Sequence, residues 1–393
     1  MEKRSTLAIA ALGAVVIAIT YGLARFVFGL FLPGIRDDLG LTAVQAGLVG
    51  AIPFASFIAG VLTGPKITER IGPREAGLLT TGLATLGLLG IAVSPDIALL
   101  SLAVGICGIS TGLSSPVMAD SVHSGVPPEL RGRVNAIHNA GTSIGVAVAM
   151  PVSAYLLGNW RGAYVSFAAL AAVVAIIAFR ALPRRTATAA VTVGTSPHLR
   201  VSTRQWIGVA SLSLLATGMG VVSSVYWIFG PDRIAAHGAL GDATAGWMWL
   251  GIGIAGLLGS AAGDLMDSIG TATTHGAALI LLATALGILA VAPGSMEAVM
   301  TSAALFGIAY MSLTGLYLVQ GIRLLANRPA LGPVLPFLAV AVGTTIGSPL
   351  AGAAIDVSGY AHSFNFFAIG AVVLALLGGV MRSLYAVSDP QWN

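Results

Sequence analysis

Apolar residues run along this chain in blocks of about 20, the length a helix needs to cross a bilayer, broken by short polar stretches. The pattern predicts helical spans near 7–32, 43–63, 75–93, 97–120, 134–157 and 162–181. After a break it predicts six more, near 206–229, 243–262, 273–292, 296–320, 331–354 and 363–385. Most connections are short and carry turn residues, such as Ser94-Pro95-Asp96, Gly158-Asn159-Trp160 and Pro293-Gly294. The stretch from Pro183 to Gln205 is long, polar and rich in Ala, Thr, Ser and Arg. It divides the chain into a six-helix half over 1–182, a linker over 183–205 and a second half over 206–393. The start resembles a secretory signal, but the apolar run from Leu7 to Leu32 far exceeds the roughly 7–15 residues of a signal core. It reads as a first span that stays in place.

Composition agrees with a bilayer as the main solvent. The chain is 56% hydrophobic and 9% charged, against roughly 25% charged in a soluble domain. Its net charge of +4 would raise nucleic acid as a partner in a soluble protein; here the placement of charge assigns it to topology instead. With the N-terminus in the cytoplasm, 15 of the 19 Lys and Arg fall on the cytoplasmic side. Arg36, Arg161 and Arg233 fall outside, and Arg25 lies within a span. That bias is the positive-inside rule. Both termini and the linker are therefore expected in the cytoplasm of a multi-pass inner-membrane protein. The lone Cys107, in an apolar stretch, reads as a packed, inert thiol.

The two halves echo one another. Pro33 ends the first predicted span and Pro231 the seventh. Glu69-Arg70-Ile71-Gly72 follows the second span, and Asp267-Ser268-Ile269-Gly270 follows the eighth. Gly141-Thr-Ser-Ile-Gly145 is answered by Gly343-Thr-Thr-Ile-Gly347, and Tyr164–Ala168 by Phe364–Ala368. Four matches in one order describe an internal repeat, and such repeats place a transport site at their interface near mid-membrane.

With these features the chain resembles the major facilitator superfamily over essentially its whole length, which implies an all-α membrane fold of twelve helices in two pseudo-symmetric halves. The family's loop after span two reads Gly-x-x-x-Asp-Arg-x-Gly-Arg-Arg. The first copy here is Gly64-Pro-Lys-Ile-Thr-Glu69-Arg70-Ile-Gly72-Pro73-Arg74, with Glu for Asp and one extra residue after the glycine. The second, Gly263-Asp264-Leu-Met-Asp267-Ser-Ile-Gly270, keeps the spacing without the basic residues. Tyr21-Gly-Leu-Ala-Arg25-Phe followed by Leu32-Pro33 more loosely resembles the bacterial YbfB-like subfamily. The resemblance implies a cytoplasmic gate at Glu69, Arg70, Gly72, Asp267 and Gly270, with Arg131, Arg133, Arg323 and Arg328 as candidate partners. A solvated, glycine-turned loop is the bland alternative. Gly132, Gly141 and Gly145 resemble the glycine-rich motif of family antiporters, but Val146 stands where that motif has proline, and tight packing explains them equally.

The candidate substrate residues lie in spans that line the cavity in that family. They are Tyr21 and Arg25 in span one, Ser114 in span four, His138 and Asn139 in span five, Tyr226 and Trp227 in span seven, and Tyr310 and Tyr317 in span ten. Packing, or for Tyr226 and Trp227 an interfacial aromatic belt, is the competing reading. His138 also suits a hydrogen-bonded structural role. Arg25 is the sharpest. It sits eight residues before Pro33, roughly 12 Å at about 1.5 Å per residue, too deep to snorkel. Burying it costs at least about 2.5–3.5 kcal/mol, and by this placement every Asp and Glu falls in a loop or at a span end, Asp120 alone being arguable and lying at the cytoplasmic end of span four, away from Arg25 in the outer half of span one.

These features favour a secondary transporter for a small organic solute, leaning to a carboxylate-bearing anion, with proton coupling open. A proton-antiporter exporter of drugs or metabolites is the alternative within transport. A channel or a non-transporting sensor is the alternative of another class. No phosphate-binding loop and no clustered His and acids occur, so no enzyme, metal or cofactor is expected. The expected partners are substrate, protons and lipid, and the expected state is a monomer.

Overall fold

The computed structural model describes residues 2–156, 158–182, 201–259, 262–326, 328 and 331–381, and its regular structure is helical. Each predicted span has a counterpart: α1 (Thr6–Leu39), α2 (Ala43–Ile71), α3 (Pro73–Ala92), α4 (Ile97–Gly125), α5 (Pro128–Leu156) and α6 (Trp160–Ala181). In the second half come α7 (Thr203–His237), α8 (the helices Thr244–Gly259 and Ala262–Ile269), α9 (Thr271–Val291) and α10 (Met296–Leu324). The stretch Leu331–Val380 breaks at Gly359, and the parts before and after it are α11 and α12. Residues 183–200 of the expected linker lie outside the described residues, and from Thr203 its end is already helix. Capping sets several starts: Thr42 and Ser202 form capping boxes with Gln45 and Gln205, and Asp96 accepts from the amides of Ala98 and Leu99.

The repeat is visible in the backbone. Among the described residues, the six glycines with positive φ form three pairs, Gly40 with Gly238, Gly72 with Gly270, and Gly158 with Gly359, spaced 198, 198 and 201 residues apart. At Gly72 and Gly270 φ is 88° and 86°, a conformation that L side chains resist and glycine adopts freely. Packing repeats as well. Gly141 and Gly145 of α5 press on the backbone of Ala14 and Ala18 in α1, while Gly343 and Gly347 of α11 press on Thr217 and Val221 in α7. A Cβ at any of the four would collide with backbone. Close helix approach, the purpose small residues serve in membranes, therefore accounts for these glycines.

Two expectations need correction. Pro33 and Pro231 do not end their spans; the helices run on to Leu39 and His237. Proline removes one i→i−4 hydrogen bond and leaves the carbonyl four residues back unpaired within the helix. The residues four back are Gly29 and Trp227, and they meet: Gly29 lies directly against the Trp227 carbonyl where α1 crosses α7. Asp232, placed by the sequence in a loop, is consequently helical and only 6% exposed. A further departure from regularity had no sequence signal. Residues Ala18–Phe26 of α1 form a π-helix, a rare geometry that occurs mostly as short insertions in α-helices and is frequent at functional sites. Thr111 of α4 donates to the carbonyl of Thr20 within it (2.7 Å).

Gly145→Val should cost about 1–3 kcal/mol by overpacking the α1–α5 contact. Gly287→Ala, where a Cβ meets nothing within 4 Å, should be neutral or slightly stabilising. Thermal unfolding of both purified variants measures the difference.

Candidate functional site

The π-helical stretch ends next to Arg25, which is 5% exposed. Its guanidinium carbon lies 4.2 Å from the ring centres of both Phe54 and Phe57, 5.3 Å from Phe26 and 5.7 Å from Tyr21. Its Nε is sealed from solvent without a hydrogen-bond partner, and no acid among the described residues pairs with it. Cation–π contact is worth about 2 kcal/mol or more when desolvated. Against an insertion cost of about 2.5–3.5 kcal/mol, the aromatic cage can hold the charge. It supplies no acceptor for the guanidinium's N–H groups.

The second half closes this cage. Phe26 packs on Trp227 with ring centres 4.4 Å apart and reaches Tyr310 at 6.0 Å. Trp227 also meets Tyr310, Phe306 and Trp249 edge-on. The structure thus brings Tyr21, Arg25, Trp227 and Tyr310 together in one aromatic cluster. Phe26, Phe54, Phe57 and Phe306 belong with them and were missed; the only signal was Phe26 beside Arg25, since apolar rings in apolar helices do not stand out.

The remaining candidates lie around the cage or apart from it. Tyr226 stacks on Phe306 at 3.9 Å and is tied to Ser302 at 2.8 Å, and both Tyr226 and Trp227 are buried rather than in a belt. Ser114 receives a hydrogen bond from Thr20 (3.2 Å) and donates to the Thr111 carbonyl (2.7 Å), bracing the π-helical stretch. His138 sits under Gly13 with Nε2 3.1 Å from the Ile9 carbonyl, joining α5 to α1. Asn139 is half-buried beside it on α5. Tyr317 bonds His275 (3.0 Å) within the second half.

The ends of the bundle differ. At the end bearing Arg36, one carboxylate oxygen of Asp232 accepts from both Arg36 and Tyr360, and Arg36 donates to Tyr360 at 2.7 Å. The Asp356 carboxylate accepts from the amides of Ala43 and Val44 at 3.2 and 3.0 Å. The Arg36 and Asp356 contacts link one half to the other. Beside them lies a cavity of about 470 Å³ lined by Pro33, Arg36, Asp37, Asp232 and Tyr360 among others. At the opposite end Asp267 pairs with Arg323 at 2.7 Å, inside the second half. Arg131 caps α4 through the carbonyls of His123 (2.8 Å) and Val126 (3.0 Å). Glu69, Arg70 and Arg133 are exposed there, and Gly72 and Gly270 make the two turns.

The model of the Major Facilitator Superfamily matches residues 14–330. The chain belongs to that family. A chloramphenicol efflux pump of Mycobacterium tuberculosis (strain H37Rv) is 30% identical over 156 residues, 39% of this chain and 37% of the pump. An uncharacterized transporter, YycB, of Bacillus subtilis is 25% identical over 225 residues, 56% of this chain and 54% of its own. The chain thus spans well under two thirds of these relatives in the matched stretches. Among solved structures, a bacterial homologue of the human lysosomal transporter Spinster, inward-facing and unoccupied, superposes with TM-score 0.78 at 15% identity, covering 99% of this chain and 98% of that one. The nucleoside transporter NupG gives 0.75 at 11% identity, over 96% and 98%. This major facilitator is a multi-pass membrane protein, and the Arg25 cage sits on the seam between its halves.

Asp232→Asn should loosen the Arg36 end by weakening the charged tie between halves. Spin labels at Val93 and Val357, both exposed there, should move apart in the variant. An unchanged distance distribution would show that the triad does not hold the halves together.

Proposed function

We propose that this major facilitator moves a small organic anion, a carboxylate for preference, across the cytoplasmic membrane by alternating access, with Arg25 as its anion contact. The observation that carries the reading is a buried guanidinium whose Nε lacks a hydrogen-bond partner and which pairs with no acid among the described residues. An incoming carboxylate accepts two parallel N–H bonds from such a fork, and low dielectric strengthens the contact relative to water. Tyr21, Trp227 and Tyr310 form the rest of the wall. The basic-residue bias puts both termini in the cytoplasm and the Arg36 end outside; the ties at that end then favour a state closed to the outside. Glu69 and Asp267 hold the cytoplasmic gate in the opposite state, and the Asp267–Arg323 pair is consistent with an acid available there for rearrangement.

The second reading is drug export by proton antiport, favoured by the match to the chloramphenicol pump. A thermal-shift panel of organic carboxylates and neutral drugs, chloramphenicol included, separates the two. Carboxylates should stabilise the wild type, weakly stabilise Arg25→Lys, which keeps the charge but loses the fork, and leave Arg25→Ala unchanged. Equal shifts in wild type and a folded Arg25→Ala would end the anion reading.

The gate is tested in membrane vesicles. Glu69→Ala and Asp267→Ala should raise cysteine labelling of the central seam from the cytoplasmic side, and a cysteine at Val93 should react only from outside. Unchanged labelling in both variants would return the loops to a solvated, structural role.

A further inference from the structure

We infer that the Arg25 site selects a planar aromatic monocarboxylate; this rests on the anion reading above and concerns what the remainder of the anion meets. The first argument is charge. The cage contains one cation, and no acid among the described residues pairs with it. A zwitterionic amino acid would bring an ammonium group with no carboxylate among the described residues to receive it, beside rings that already face one cation. A dicarboxylate or a phosphate dianion would bring a second negative charge with no second cation. Each leaves a charge unpaired at low dielectric, the costly case. A single carboxylate balances the site.

The second argument is hydrogen bonding. Hydroxyls around the cage are committed to protein partners: Tyr21 to Ser115 at 2.6 Å, Tyr226 to Ser302, Ser114 to the Thr111 carbonyl, and Thr111 to the Thr20 carbonyl. A sugar or nucleoside must exchange many water contacts for polar groups, and beyond Arg25 the buried uncommitted ones here are the indole N–H donors of Trp227 and Trp249, which offer no acceptor for its hydroxyls. Stripping those hydroxyls of water without replacement disfavours them.

The third argument is shape. Phe26, Phe54, Phe57 and Tyr21 come from the first half, and Trp227, Phe306 and Tyr310 from the second. The pair that closes the seam is Phe26 on Trp227, 4.4 Å apart and inclined by 33°. When the halves part, this contact is lost and two ring walls face each other beside the guanidinium. A flat ring entering between them restores ring-on-ring contact on both sides. Because Phe26 adjoins Arg25 in sequence, the ring and the carboxylate must be close together, as in a benzoate-sized anion.

The test is calorimetric titration of the purified full chain with benzoate, cyclohexanecarboxylate, acetate, phenylalanine and inorganic phosphate. Benzoate should bind about tenfold more tightly than acetate, the scale of one aromatic contact plus its buried area. It should also bind more tightly than its saturated counterpart, with phenylalanine and phosphate weakest. Trp227→Leu should erase the preference of benzoate over cyclohexanecarboxylate while Arg25-dependent binding of both persists. Where that variant does not fold, the wild-type comparison of the two decides by itself. If acetate or cyclohexanecarboxylate binds as well as benzoate and the binding depends on Arg25, the aromatic preference is wrong and the anion reading stands. If no carboxylate binds in an Arg25-dependent way, the anion reading fails and this inference with it.

Discussion

A guanidinium buried at hydrocarbon depth must be compensated by its surroundings, and much of this molecule's centre follows from how that is done around Arg25. Phe54 and Phe57, one helical turn apart on α2, each place a ring 4.2 Å from the charge. The quadrupole of a ring face stabilises the cation without satisfying its N–H groups, so the charge is tolerated while its hydrogen-bonding capacity stays unspent. A carboxylate partner on a neighbouring helix would have stabilised it more and left nothing for a substrate. The π-helical stretch from Ala18 to Phe26 belongs to the same arrangement. It is braced by Thr111 from α4 and by Gly22, whose lack of a side chain lets α1 lie on Gly145 of α5.

The three arginines that break the charge bias have a shared explanation. Arg36 is held by Asp232 and Tyr360. Arg161 bonds Asp38 and the carbonyls of Ala92 and Ser94. Arg233 bonds the carbonyls of Leu289 and Ala290. Arg161 and Arg233 thus cap α3 and α9, helix ends whose carbonyls lack intrahelical partners. Arg36 instead joins the halves. What looked like noise in a topological count is the fastening of one end of the bundle.

Alternating access asks for contacts strong enough to define a state and few enough to be released. The helices within each half meet along glycine-lined seams where backbone touches backbone, as Gly141 and Gly145 do on α1. The same kind of contact also crosses between the halves, at Gly29 on Trp227, Gly47 on Ser348 and Gly352 on Ala43. The Arg36 triad and the Asp356 cap are local, polar and at one end. The aromatic seam between Phe26 and Trp227 lies between those ties and the opposite end, where Asp267 and Arg131 bond within their own halves.

The sequence by itself determined the architecture. Apolar blocks near bilayer length leave the backbone no economical option but helix, because lipid offers no hydrogen bonds. The repeated glycines and loop motifs announced the two halves, and the burial of Arg25 followed from its distance to the nearest polar break. Only the tertiary structure decided what surrounds that arginine. In a chain this apolar, Phe54, Phe57 and Phe306 carry no mark that separates a cage from ordinary packing. Nor could the pattern show that α1 and α7 run through Pro33 and Pro231, carrying Asp232 into the bundle. A proline's missing hydrogen bond reads as an end in one dimension. In three, both helices run on through their prolines, and the freed Trp227 carbonyl lies against Gly29 where they cross.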